Sequence, residues 1–290
     1  MPAKFFKCTN GQEIEMKKCF KGCPYGERCM PLPALMAVGK TRGFYGKASV
    51  TQLIKDTRSA YLEITNDYSI DPQKSIASMI GTNAHAIMEH NTPNGYLSEV
   101  RLEDDITSGA FDYVDLKGKT LGDFKFFNPY VIARKLGYTP HWKANGVYQR
   151  GAKKGQTKWE QVFEPGGVRD TLEVSIQMSY YRYLLKKHGV DIDKLKLHMF
   201  IRGGLDRVAK SYGLDHMAYT ITLNGISDRW VRRFMEMKSK MLLDALESGI
   251  CPPVCKDRWG SKSNPDLRCR EYCGVNKFCD YYQEHYGKKQ

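Results

Sequence analysis

Hydrophobic positions along the chain recur at two spacings, one helical and one alternating. Helical spacing begins at Ser49 or Thr51, either of which can cap a helix through Leu53, Ile54 and Tyr61. A second helix is expected after Asp71-Pro72, a good N-cap and first-turn pair, and reaches about His90. Its apolar side carries Ile80, Ala84, Ile87 and Met88. Two strand-like runs follow, Ile106 to Val114 and Leu121 to Phe127, divided by the turn-like Leu116-Lys117-Gly118-Lys119. A helix from about Thr171 stops at Gly189. Leu195, Leu197, Met199 and Ile201 alternate with other residues as in a half-buried strand, and Met217 to Leu223 reads as the partner. Ser227 opens a last long helix with Val231, Phe234, Met241, Leu242 and Ala245 at helical spacing, ending at Gly249. The order helix, helix, strands, helix, strands, helix predicts a mixed α/β domain.

Composition sharpens this picture. Hydrophobic residues make up 41% of the 290, enough for a real core and too many for a mainly disordered chain. No apolar run approaches membrane-spanning length and the Lys-bearing start lacks a signal-peptide core, so a soluble, intracellular protein without a membrane is expected. The net charge of +13 points to a polyanionic partner, nucleic acid first. Basic residues concentrate between Asp123 and Glu160, an interval without a single acidic side chain. There Lys143, Arg150, Lys153 and Lys154 alternate with Tyr138, Trp142, Tyr148 and Trp159, a mixture suited to phosphate neutralisation and base stacking.

The nine cysteines fall into two groups. Cys8, Cys19, Cys23 and Cys29 lie near the start; Cys251, Cys255, Cys269, Cys273 and Cys279 lie near the end. Both groups contain Cys-x3-Cys-x5-Cys with a further cysteine upstream, and none occurs between them. In an intracellular chain such clusters indicate metal rather than disulfides. The expected organisation is an N-terminal four-cysteine module over 1–35, a cysteine-free central core over 45–250 and a C-terminal cysteine-rich module over 251–285. Four thiolates can hold Zn2+ or a [4Fe–4S] cluster, and spacing alone does not choose between them. Zn2+ is the expectation for Cys8, Cys19, Cys23 and Cys29. For Cys255, Cys269, Cys273 and Cys279 either an iron–sulfur cluster or Zn2+ is expected, with Cys251 or a cysteine of the N-terminal group as a substitute for Cys255.

Chemistry centres on Asp112, Asp123 and Lys125. Residues two apart on a strand share a face, so Asp123 and Lys125 project together, and Asp112 on the neighbouring strand can face them. Two carboxylates beside an ammonium form a site for a hard divalent cation, as phosphodiester hydrolysis requires. Upstream, Gly81, His85 and Glu89 share one helical face, and His85 can supply a nitrogen ligand. Downstream, Gln177 and Tyr181 share a face of another helix.

Taken in order, Gly81-x3-His85-x3-Glu89, Gly109-x2-Asp112, Asp123-x-Lys125 and Gln177-x3-Tyr181 resemble the motif set of the RecB-like PD-(D/E)xK nucleases. The resemblance covers about residues 45 to 280 and is strongest to phage-type members with terminal cysteines. It implies a restriction-endonuclease-like core, a mixed central sheet flanked by helices, with cysteine-rich metal modules at both ends. It further implies a Mg2+- or Mn2+-dependent exodeoxyribonuclease of recombination, repair or phage DNA processing. Such an enzyme would act in the cytoplasm, the host's if phage-encoded, on DNA ends or single strands and beside a single-strand annealing or recombination protein. By the same resemblance His85, Asp112, Asp123 and the backbone carbonyl of Phe124 bind the metal, and Lys125 activates water. Gln177 and Tyr181 support the site, and Glu89 belongs to the first motif. One departure stands out: where many cluster-bearing relatives have Cys-Pro-Arg, this chain has Asp56-Thr57-Arg58. A non-catalytic zinc protein that binds nucleic acid, or a structure-directed DNA or RNA endonuclease, are the alternative readings.

Overall fold

The computed structural model describes residues 3–40, 43–261 and 263–287. The chain opens with β1 (Phe5–Lys7), β2 (Glu13–Glu15), α1 (Met16–Lys21) and α2 (Leu32–Val38), then α3 (Val50–Ile54), α4 (Thr57–Thr65), β3 (Ser69–Ile70) and α5 (Pro72–His90). Short strands follow: β4 (Tyr96–Ser98), β5 (Arg101–Glu103), β6 (Ser108–Ala110), β7 (Tyr113–Asp115) and the longer β8 (Thr120–Phe127). Next come α6 (Pro129–Lys135), β9 (Tyr138–Val147), β10 (Thr157–Pro165), α7 (Leu172–Lys187), β11 (Lys194–Ile201), α8 (Arg207–Ser211) and β12 (Ala218–Leu223). The chain closes with α9 (Asp228–Ser248), β13 (Gly260–Ser261), β14 (Asn264–Pro265) and α10 (Asp280–Tyr286). Among the described residues no helix is long and apolar enough to cross a membrane.

Two compact units divide the chain. The first comprises residues 1–91, 101–110 and 228–290; the second comprises 92–100 and 111–227.

In the second unit a five-stranded sheet runs in the order β12-β11-β8-β7-β4. β8 and β11 are parallel and the other neighbours antiparallel, so the sheet is mixed. The parallel pair requires a long crossover, supplied by α6, the β9–β10 hairpin and α7. The alternation read from 195–201 is observed: Leu195, Leu197, Met199 and Ile201 are buried and the residues between them are not. In parallel register these side chains stand beside Leu121, Asp123, Lys125 and Phe127 on one face of the sheet, and α7 packs over β8 and β11.

In the first unit α9 packs on α3 and α4. Val231, Met235, Leu242 and Ala245 are its buried apolar stripe; Met241, expected in that stripe, is 40% exposed. Ser49 caps α3 through a reciprocal box with Gln52, as its hydroxyl accepts the Gln52 N–H and the Gln52 side chain accepts the Ser49 N–H. Asp71 caps α5 by accepting from the N–H groups of Gln73 and Lys74.

Three expectations need correction. The first helix is broken at Lys55-Asp56 into α3 and α4, because Lys55 is extended and Asp56 starts the next helix. The run from Ile106 to Val114 is two strands, interrupted at Phe111-Asp112, and β6 and β7 belong to different sheets. The supposed apolar side of α5 is not core: Ile80 is 46% and Ile87 65% exposed.

Candidate active site

β8 is apolar enough to be a central strand, yet it carries an acid and an ammonium on the same face as the buried Leu195, Leu197 and Met199 of β11. Asp123 lies beside Leu197 and Lys125 beside Met199, both neighbours fully buried. Burying a lone carboxylate would be costly, and Asp123 is only 4% exposed. Its partner is Lys125, whose Nζ stands 2.6 Å from Asp123 Oδ2. The Lys125 ammonium also donates to the Phe124 carbonyl at 3.4 Å.

Asp112 arrives from the break before β7. Its Oδ2 accepts the Phe124 N–H at 2.5 Å, which ties the carboxylate to the middle of β8. The same break holds Glu99, whose N–H donates to the Asp112 carbonyl at 3.1 Å. Glu99 has φ of 51°, a left-handed conformation uncommon outside glycine. A carboxylate oxygen of Glu99 and one of Asp112 lie within 4.8 Å of each other.

Lys125 therefore faces three acids. Burial alone would lower its pKa, but Asp123 first, then Asp112 and Glu99, hold it above its ordinary value. It is a cation throughout the physiological range. The donor set suits a divalent ion: two oxygens each about 2.0–2.6 Å from a hard cation can be at most about 4–5 Å apart.

The opposite face of the sheet carries an aromatic row. Tyr113 stacks on Phe124 and Tyr96, with ring centroids 5.1 and 5.9 Å apart. Its hydroxyl hydrogen-bonds His198 Nε2 at 2.7 Å, while His198 Nδ1 meets Thr220 Oγ1 at 2.8 Å. Burial, with Lys196 nearby, lowers the His198 pKa, so this imidazole is a neutral structural group. Gly122 is essential to the packing, because a Cβ there would stand 2.0 Å from the Tyr113 ring.

Of the residues singled out from sequence, Asp112, Phe124, Asp123 and Lys125 come together here. Gln177, half-buried, and Tyr181, 4% exposed, lie on α7. His85, half-buried, and Glu89, exposed, lie on α5 in the first unit. Glu99 was missed. It sits at a strand break, where no period marks it, and its backbone conformation has no signature in the local sequence.

The basic interval is a regular antiparallel hairpin, β9–β10, with Trp142 opposite Gln161 and Trp159 opposite Ala144. Pro140, Trp142, Ala144, Trp159, Gln161 and Phe163 share one of its faces by this register. Trp142 is 66% and Trp159 58% exposed, and the tip bears Arg150, Lys153 and Lys154. At the base Gly137, with φ of 70°, passes so close to Gly166 and Gly167 that no side chain fits.

The C-terminal thiols interact as a set. Burial, Asp56, and then Cys273 and Cys269 push Cys255 up to about 12, against the opposing charge of Arg268. Burial, then Cys273 and Cys279 among others, raise Cys269. The divergent segment Asp56-Thr57-Arg58 packs against them. Arg268 donates to Asp56 at 2.6 Å, and Arg58, 5% exposed, pairs with Asp280 and donates to the Pro252 carbonyl at 2.7 Å. Burial alone would lower the Arg58 guanidinium, but the thiols of Cys279 and Cys251 hold it above its ordinary value.

No family model and no curated protein sequence matches the chain. Among solved structures, a phage-related exonuclease from Haemophilus somnus 129PT is similar with a TM-score of 0.39 at 11% identity, covering 70% of this chain and 96% of that one.

Proposed function

We propose that the chain is a Mg2+- or Mn2+-dependent PD-(D/E)xK nuclease that hydrolyses DNA phosphodiester bonds, in the manner of an exonuclease. One observation carries this reading: on the central strand of a mixed sheet Lys125 pairs with the buried Asp123 at 2.6 Å, beside Asp112 held by the Phe124 N–H, with Glu99 adding to the negative charge around the ammonium. Asp112, Asp123 and the Phe124 carbonyl would hold the ion, with Glu99 added to the set. His85 takes the nitrogen-ligand role on motif order. When bound, the ion supplies positive charge that offsets the phosphate's and makes water acidic enough to attack near neutral pH. Asp123 keeps Lys125 charged and fixes its position, and the Lys125 ammonium orients the attacking water. The Phe124 N–H holds the Asp112 carboxylate in one rotamer. Gln177 and Tyr181 support the face from α7, and the β9–β10 hairpin contacts the DNA backbone. The C-terminal cysteines, with Zn2+ or a [4Fe–4S] cluster, fasten the chain end and take no part in chemistry.

A non-catalytic nucleic-acid-binding protein is the weaker alternative. A pure binder gains nothing from three carboxylates placed where phosphate must approach. The test is incubation of purified protein with end-labelled linear DNA and with closed circular DNA, in Mg2+ and in EDTA. Cleavage of the linear substrate in Mg2+ alone, abolished by Asp123→Ala with DNA binding retained, is the expected result. Undiminished cleavage by Asp123→Ala protein would remove this site from the chemistry.

A further inference from the structure

The N-terminal cysteines make a separate case, independent of the nuclease reading. Two matching reverse turns present thiols there. In Cys8-Thr9-Asn10-Gly11 the Gly11 N–H donates to the Cys8 carbonyl at 2.8 Å; in Cys23-Pro24-Tyr25-Gly26 the Gly26 N–H donates to the Cys23 carbonyl at 3.3 Å. Both glycines have positive φ, 84° and 101°, so each turn uses glycine where another residue would be strained. Cys19 comes from α1 and is 7% exposed; Cys29 comes from the loop before α2. All four thiols line one cavity, together with Arg28.

Two further features point to an occupant. Arg28 Nε is buried and has no hydrogen-bond partner among the described residues, although its Nη2 donates to the Phe20 carbonyl at 3.1 Å. A buried donor beside four thiols suits a tetrathiolate metal centre, which carries net negative charge. The module is also too small to stand on its core: among the described residues its hydrophobic cluster has seven buried members, including Phe6, Ile14, Met16 and Leu35.

We propose that Cys8, Cys19, Cys23 and Cys29 bind one Zn2+, and that this zinc knot clamps the start of α5. Zinc fits better than a cluster because Cys29 is exposed and Cys8 and Cys23 are only half-buried, and Zn2+ has no redox chemistry for solvent and oxygen to disturb. The clamp is visible in the contacts. β1 pairs in parallel with β3, immediately before α5, and Tyr68, Ile70 and Ile76 pack on the module's core. The Gln73 side chain donates to the Cys29 carbonyl at 3.2 Å, and Ser69 donates to Glu13 at 2.6 Å. Lys277, between Cys273 and Cys279, pairs with the same Glu13 at 2.7 Å, so the C-terminal module shares this anchor.

The experiment uses the full chain, with metal content by mass spectrometry and backbone hydrogen exchange. Cys23→Ser should hold one zinc fewer than wild type, and Cys273→Ser should keep the zinc that Cys23→Ser loses. Amides over residues 69–77 should exchange at least roughly tenfold faster in Cys23→Ser. Cobalt reconstitution of wild type should give thiolate-to-metal charge-transfer bands and intense tetrahedral visible bands. If Cys23→Ser is insoluble, Cys29→His should be folded, since a three-thiolate, one-imidazole set also holds zinc, and its cobalt charge-transfer band should weaken. Unchanged zinc in Cys23→Ser, iron in place of zinc at this set, or a soluble Cys29→His protein with wild-type cobalt spectra would overturn the proposal.

Discussion

Replacing Lys125 by Met isolates the electrostatics of the proposed site. The ammonium and Asp123 Oδ2 are 2.6 Å apart, and 5% of the Asp123 side chain and 31% of the Lys125 side chain are exposed. At an effective dielectric of ~20 the Coulomb attraction is about 6 kcal/mol, most of it cancelled by desolvation of the two ions. Removing one partner of a buried pair costs about 3–5 kcal/mol, and the partial exposure of Lys125 places the expected loss near about 3 kcal/mol. Methionine keeps most of the volume, so the loss is electrostatic rather than a cavity. Without the ammonium, Asp123, Asp112 and Glu99 have lost their shared cation, and a divalent ion should bind more tightly. With Mg2+ at ~100 times its dissociation constant the folded state gains about 2.7 kcal/mol. Urea unfolding followed by circular dichroism, in EDTA and in Mg2+, measures both effects. Lys125→Met should be destabilised in EDTA and largely recovered in Mg2+, while cleavage stays absent in both. A variant within about 0.5 kcal/mol of wild type in EDTA, or one with no greater response to Mg2+ than wild type, would refute the argument.

Other consequences follow from the same contacts. Changing Lys143, Arg150, Lys153 and Lys154 to Ala should weaken DNA binding and flatten the slope of log affinity against log salt by about 0.9 for each lost phosphate contact on duplex DNA; an unchanged slope would mean the hairpin does not touch the backbone. Burial, with Tyr96 and Asp115 alongside, pushes Tyr113 up to about 12. A folded value above the unfolded one of about 10 means this contribution is complete below pH ~10 and is lost as pH rises through about 12, by up to about 2.7 kcal/mol. Tyr113→Phe should therefore lose less stability over that alkaline window than wild type, and parallel curves would show the hydroxyl is not responsible. Gly122→Ala should cost about 1–3 kcal/mol of overpacking against the Tyr113 ring, offset by at most about 1 kcal/mol of unfolded-chain entropy; an unchanged urea midpoint would contradict the packing.

How much of this was legible depends on whether a residue follows a period. Asp71-Pro72 announced its helix because a cap is a local hydrogen-bonding device. Leu195 to Ile201 announced a strand because one face is buried and the other is not. Asp123 and Lys125 were placed on one side by the same period of two, and the ion pair follows from it. The β9–β10 hairpin gave no such signal, since most of its residues are exposed on both faces and burial imposes no alternation. Ile80 and Ile87 gave a false one, because apolar spacing does not say what stands opposite.

The breaks were invisible for a related reason, and they matter most. Asp112 and Glu99 face each other across a gap between strands, held by the Glu99 N–H on the Asp112 carbonyl and by the Ser98 hydroxyl on the same oxygen, 2.9 Å away. Had the run from Ile106 to Val114 been one regular strand, it would have tied residues 108–115 into a single ladder. Interrupting it at Phe111-Asp112 leaves Asp112 outside any strand, where its side chain can reach the Phe124 N–H. The positive φ at Glu99 is the matching distortion on the other strand. Sequence periodicity describes the rigid frame of β8, and the carboxylates that converge on Lys125 enter at points where that periodicity is suspended.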